Sequence, residues 1–236
     1  RSGALLEGQD KELYREYSSE LSQLTLKFGQ NAQAATNAFS YNITDPAKVE
    51  ELPAFVKEGL AAEAEARGEK GWTVTLHAPS YSPFMTYSTQ RDIKEALYRA
   101  YNTRGIGGET DNVENIRRIA ELRLKIANLL GYKCYADYVL EDRMAESTKT
   151  VNGFLAELNK ATLSYAKKDV AAITEYAHSL GFEGELAPWD FGYYNEKYKE
   201  AKYAINDEQI KPYLQLENVK NAVFMLAGKL YGLTFT

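Results

Sequence analysis

The stretch that sets the fold is residues 147–181, STKTVNGFLAELNKATLSYAKKDVAAITEYAHSLG. Ser147 stands where a helix needs an N-cap, and Gly181 stands where a helix is released into a left-handed turn. Between them Val151, Phe154, Leu155, Leu158, Thr162, Tyr165, Ile173, Tyr176 and Leu180 recur at helical spacing and read as an inward face. At about 1.5 Å per residue such a helix runs ~50 Å. That length predicts an elongated, mainly α architecture rather than a compact four-helix bundle.

Helical signals continue on both sides. Leu13, Tyr17, Leu21, Leu24, Phe28, Ala32, Ala35 and Phe39 form one apolar stripe, which predicts a helix over 10–40 with a neighbour packed along it. Asp45-Pro46 reads as an N-cap with proline at the first helical position, Pro53 as a restart or kink, and Gly68 as a stop. Thr89 and Asp92 read as a cap ahead of Ile93 and Leu97. Residues 103–110 make a Gly-rich break, and Asp111 with Glu114 opens a helix over 112–131. A short helix is read over 135–144, another from Pro188 to Tyr203, a short one from Asp207, and a last one over 215–231. Strand is expected only near 72–88, where Trp72-Thr73-Val74-Thr75-Leu76 and Met85-Thr86-Tyr87 offer at most a short β-hairpin. No repeat of fixed period appears.

Composition narrows the function classes. The 236 residues carry 28 Lys and Arg against 33 Asp and Glu, a net charge of −5. That balance argues against a nucleic-acid partner. No apolar run reaches the ~20 residues of a membrane helix, so no membrane partner is expected, and a cytoplasmic location is the working expectation. Cys134 has no second cysteine to pair with.

Motifs that carry chemistry are sparse. Glu175 and His178 have the spacing used in di-iron bundles, but no second copy exists. Gly105-Ile106-Gly107-Gly108 lacks the P-loop pattern, and Glu109 and Asp111 follow it, so it reads as a flexible turn. Arg104 ends a helix, where it either complements the helix dipole or holds a substrate carboxylate. Cys134 follows a helix C-terminus with no histidine indicated, which makes it inert. Trp189-Asp190-Phe191-Gly192-Tyr193-Tyr194 reads as a helix start pinned by aromatic packing, with Asp190 capping it. The other reading is a peptide cleft lined by tyrosines.

The order of these elements resembles a known family. The series runs from Leu76-His77-Ala78-Pro79-Ser80-Tyr81-Ser82-Pro83-Phe84-Met85-Thr86-Tyr87 through Tyr98-Arg99-Ala100-Tyr101-Asn102-Thr103-Arg104 and Asp111-Asn112. Leu122-Arg123, Ala127-Asn128-Leu129-Leu130-Gly131-Tyr132, Arg143-Met144-Ala145 and Pro188-Trp189-Asp190 with Tyr193-Tyr194 follow. Lys211-Pro212-Tyr213 and Leu230-Tyr231-Gly232-Leu233 close it. The series is similar to the thimet oligopeptidase (M3) family of zinc metallopeptidases, most of all to its bacterial peptidyl-dipeptidase (dipeptidyl carboxypeptidase) branch.

The resemblance implies an almost wholly helical, two-lobed hydrolase with a deep channel for short peptides. It also implies a zinc held by a His-Glu-x-x-His helix and a later Glu, none of which has a counterpart in these residues. Residues 1–236 are therefore expected to be the helical non-zinc lobe and the approach to the catalytic lobe. This piece is expected to hold no catalytic residue, no metal ligand and no zinc of its own, and to be inactive alone. The parent is expected to carry out proteolysis with zinc bound, either as a peptidyl-dipeptidase releasing C-terminal dipeptides or as an oligopeptidase cutting internally, with the resemblance leaning to the first. Its expected partners are short peptides and the catalytic half of the same polypeptide. Arg104, Tyr193 and Tyr194 are the substrate-channel candidates. Helix 215–231, apolar on nearly every side, is expected to be bare without that other half. A non-enzymatic, all-α peptide-binding or scaffold domain is the rival reading.

Overall fold

Ser147 Oγ accepts the Thr150 N–H at 3.1 Å, and a helix follows it from Thr148 to Ser179. A computed structural model describes residues 3–204 and 210–235. In chain order its elements are α1 (Gly8–Ala38), β1 (Ser40–Ile43), α2 (Ala54–Ala66), β2 (Trp72–Thr75), α3 (Ala78–Tyr87) and α4 (Arg91–Asn102). Then come α5 (Val113–Leu129), α6 (Tyr135–Leu140), α7 (Thr148–Ser179), α8 (Pro188–Tyr203) and α9 (Leu216–Tyr231). The chain is mainly α, with one two-stranded antiparallel ladder among the described residues. The helix read from Asp207 lies outside the described residues.

The ladder corrects the expected hairpin. β2 pairs with β1, from Ser40 opposite Thr75 to Ile43 opposite Trp72, and α2 lies in the connection between them. Met85-Thr86-Tyr87 is helical, at the end of α3. Pro79 sits in the first turn of α3, where its missing N–H costs nothing. Folding 78–87 as a helix buries Phe84 completely against the ladder and α2. That burial is worth about 1.5–3 kcal/mol and overrides the extended preference of a Thr-Tyr pair. The core beside it gathers Ile43, Leu60, Val74, Leu76, Ile93 and Leu97.

α1 lies along α5, as its apolar stripe predicts. Arg118 fixes the pair by donating from Nε and Nη2 to the two Glu20 oxygens, both at 2.7 Å. At the other end Asn112 joins three segments. Its Nδ2 donates to Phe28 O at 3.1 Å, and its Oδ1 accepts from Asn31 at 3.0 Å and from Asn115 at 2.9 Å. The Asn112 N–H also bonds Gly105 O at 2.8 Å, so the Gly-rich turn is pinned rather than loose.

Several local expectations change. Thr89 does not cap α4; its N–H and hydroxyl both go to Glu51 Oε1, at 3.0 and 2.9 Å. Ser88 Oγ accepts the Gln90 N–H instead, at 3.1 Å. The helix read over 135–144 stops at Leu140. On α7 the expected inward face is mostly open: Phe154 is 63% exposed and Tyr165 67%, and Leu155, Leu158, Thr162 and Leu180 are exposed as well. Ile173 and Ala177 are buried, where α8 packs on the C-terminal part of α7. Periodicity identified the apolar side correctly, but among the described residues nothing covers 152–171. α9 is similarly bare, with Val223, Phe224, Met225, Leu226 and Leu230 all exposed. No helix among the described residues is long and apolar enough to cross a membrane.

Candidate functional site

Arg104 follows the last turn of α4 and is held from three directions. Its Nε donates to Tyr101 O at 2.8 Å, satisfying a carbonyl that the helix end leaves free. Nη1 donates to Thr36 Oγ1 on α1 at 3.0 Å. The guanidinium lies 3.7 Å from the Tyr101 ring centroid, and that ring stacks on Tyr81 at 4.5 Å. Burial raises the Tyr81 phenol above its ordinary pKa, helped by Tyr101 and Tyr98 and opposed by Arg104. Arg104 thus serves the end of α4, as its position predicts. It also borders a cleft of about 500 Å³ between α1 and α4, lined by Phe28, Ala32, Gln33, Thr36 and Tyr101 among others.

Tyr193 and Tyr194 lie elsewhere. They meet edge to face at 5.1 Å on α8, and both are half-buried. The Tyr193 ring faces the Lys94 ammonium at 4.9 Å, and Tyr194 meets Phe182 at 5.3 Å. Burial raises the Tyr194 pKa, with Tyr193 and Asp190 adding to it and Arg91 opposing. Lys94 is ten positions before Arg104, about 15 Å along α4. The three candidates therefore form two separate groups.

The charge cluster at α8 was missed in sequence. Asp190, 1% exposed, accepts from Arg91 at 3.0 Å and from the Ala187 N–H at 2.9 Å. The second of these bonds is the helix-start role read for Asp190. Lys94, 2% exposed, has no carboxylate in hydrogen-bond contact among the described residues. Desolvation pulls its pKa below the ordinary 10.5, with Asp190 opposing that shift and Arg91 adding to it. A lysine whose folded pKa is depressed costs stability wherever it is charged in both states. The cost is full below the folded value and is gone above 10.5. Lys94→Met is therefore expected to raise the urea midpoint at pH 7, with the gain shrinking as pH rises toward 10.5. Urea melts at pH 7 and pH 10 check this, and an unchanged or lowered midpoint at pH 7 contradicts it.

The possible soft metal donors are dispersed. His77 directly precedes α3. Cys134 directly precedes α6, so it stands at a helix start as well as after α5. His178 Nε2 lies 2.8 Å from Gly184 O. Among the described residues no three His, Cys, Asp or Glu side chains gather to hold a metal. Four-coordinate zinc needs such a group, so these residues do not fit a zinc site.

The described residues make a mainly helical structure with one short antiparallel ladder. The sequence matches the family described as Peptidase family M3 over residues 84–236. It is 35% identical over 238 residues to oligopeptidase A of Salmonella typhimurium, covering 99% of this chain and 35% of that protein. It is 35% identical over 241 residues to the probable cytosolic oligopeptidase A of Arabidopsis thaliana, covering 98% of this chain and 34% of that protein. Against the dipeptidyl carboxypeptidase of Escherichia coli it is 29% identical over 240 residues, covering 99% of this chain and 35% of that protein. The chain belongs to peptidase family M3 and spans about a third of the length of these relatives. Identity is higher to the oligopeptidases than to the dipeptidyl carboxypeptidase, which corrects the leaning toward the peptidyl-dipeptidase branch.

Proposed function

We propose that this chain is part of a zinc metallopeptidase that hydrolyses short peptides, and that it contributes a wall of the substrate channel. The observation that carries this reading is the 35% identity to oligopeptidase A across 99% of the chain. Zinc and its chemistry belong, on this reading, to polypeptide outside these residues. Arg104, Tyr193 and Tyr194 are the channel candidates within them. A cytoplasmic location goes with the reading, and of the two Arabidopsis thaliana relatives at 35% identity one is named cytosolic and the other organellar. The identities favour cleavage within short peptides. Release of C-terminal dipeptides is the second reading, supported by the 29% identity to the dipeptidyl carboxypeptidase.

The bare apolar faces of α7 and α9 supply the test. Each uncovered Phe, Leu or Val forgoes about 1.5–3 kcal/mol of burial. The 236-residue chain alone is expected to sediment as oligomers and to hydrolyse nothing. Expressed together with the downstream polypeptide of its gene, it is expected to form a one-to-one complex that cleaves blocked peptides and loses activity to a chelator. Mass spectrometry of C-terminally amidated substrates separates the two cleavage modes, since dipeptide release needs the free carboxylate. A monomeric chain that ignores the downstream polypeptide, with no hydrolysis by the pair, favours the scaffold reading instead.

A further inference from the structure

Arginine has five N–H donors, and Arg104 spends two of them within the chain. No ion-pair partner for it occurs among the described residues. Its plane is fixed by the Tyr101 ring beneath and by Thr36 at one side. Such a cation is already oriented before any ligand arrives, so little rotamer entropy is lost on binding.

The rest of the cleft supplies groups that a peptide uses. Gln33 donates its amide N–H to Asn37 at 2.8 Å, and Asn102 donates to Tyr98 O at 2.8 Å. Neither side-chain carbonyl is engaged in those bonds, so both are acceptors available for main-chain N–H groups. Phe28, 39% exposed, offers an apolar wall, and Gly29 and Ala32 keep the α1 side shallow. A cleft of about 500 Å³ is in the range that small ligands occupy.

We propose that the α1–α4 cleft is a binding subsite for a peptide carboxylate, with Arg104 as the carboxylate receptor and Phe28 and Tyr101 contacting the neighbouring side chain. This deepens the channel-wall reading above and rests on it for its physiological meaning. The carboxylate comes either from a peptide C-terminus or from an Asp or Glu side chain. Guanidinium chemistry is the same for both, with paired N–H donors facing two oxygens.

Three probes titrated into the full chain by NMR or calorimetry decide the matter. They are N-acetyl-Ala-Phe, its C-terminal amide, and N-acetyl-Glu-Phe-amide, whose one carboxylate is a side chain. Binding of the first or third at least ~10-fold tighter than the second is expected from a charge-assisted pair. Which of the two binds identifies the source of the carboxylate. Arg104→Gln is expected to remove that preference.

That variant also frees Tyr101 O, so Gly29→Leu is the second arm. A Cβ at Gly29 meets nothing within 4 Å and Gly29 lines the cleft, so a leucine there is expected to occupy it. It is expected to abolish binding while the thermal midpoint holds or rises. Equal affinity for the amide, no binding of any probe, or binding that survives Gly29→Leu overturns the subsite. Carboxylate-selective binding with no hydrolysis by the pair including the downstream polypeptide leaves the subsite standing and removes the peptidase reading. Hydrolysis without carboxylate selectivity does the reverse.

Discussion

Gly71→Ala is expected to destabilise the chain by about 3 kcal/mol or more, read as a fall in the urea midpoint. Gly71 has φ +89°, and a Cβ built there lies 2.2 Å from Ile43 O and 3.1 Å from Thr44 Cα. An L-residue in the left-handed region costs about 1–2 kcal/mol on its own. The clash comes on top of that, and it is with main chain rather than with a side chain that can swing aside. Ile43 is the partner of Trp72, so relieving the contact means opening the end of the β1–β2 ladder. That ladder positions Val74, which is fully buried in the core. Gly68→Ala is the control: its φ is +71° and a Cβ there meets nothing within 4 Å. It should cost only the backbone term. If the two variants melt alike, the close approach of Gly71 to Ile43 is not what the fold requires.

That ladder also marks where sequence reading stops. β1 is four residues, Ser40-Tyr41-Asn42-Ile43, with no alternation long enough to register and a helical stripe running up to Phe39. It is a strand because of partners some thirty residues away. Asn42 Nδ2 donates to Lys70 O at 3.0 Å and to Thr73 Oγ1 at 2.9 Å, and neither bond has a local signal. α7 is the opposite case. Its cap, its stop and its apolar side are all local, and Ser147 and Gly181 bracket the helix that forms. Whether that apolar side is covered is not a local property, which is why the inward reading of Phe154 and Leu158 failed while that of Ile173 held. Arg104 was legible as a helix-end cation because its bond to Tyr101 is three residues long. The cleft beside it was not legible, because Thr36 and Phe28 reach it only once α1 is laid along α5 and the Asn112 bonds are made.

The second large effect is expected at Asp190. Its carboxylate is 2% exposed and accepts from Arg91 Nε to both oxygens, at 3.0 and 3.1 Å, and from Arg91 Nη2 at 3.0 Å. It also accepts the Ala187 N–H that opens α8. Arg91 holds its proton more tightly than usual, chiefly through that hydrogen bonding to Asp190. Removing one partner of a buried ion pair costs about 3–5 kcal/mol when the other charge is stranded. Here the Arg91 side chain is 52% exposed and can turn to water, which lowers its share. Lys94 cannot do the same, since it is 2% exposed and Asp190 is the charge that favours its ammonium form. Asp190→Ala is therefore expected to cost about 3 kcal/mol, with α8 loosening from α4. The cost divides between the Arg91 pair, the helix start and the uncompensated lysine. Asp190→Asn keeps an acceptor for Ala187 and should cost less. Adding Lys94→Met to Asp190→Ala removes the stranded ammonium and is expected to recover part of the loss, a non-additivity of about 1 kcal/mol in a double-mutant cycle. Strict additivity in that cycle, or an Asp190→Ala loss well below 1 kcal/mol, would mean that the two charges do not depend on each other and that aromatic packing alone holds α8 in place.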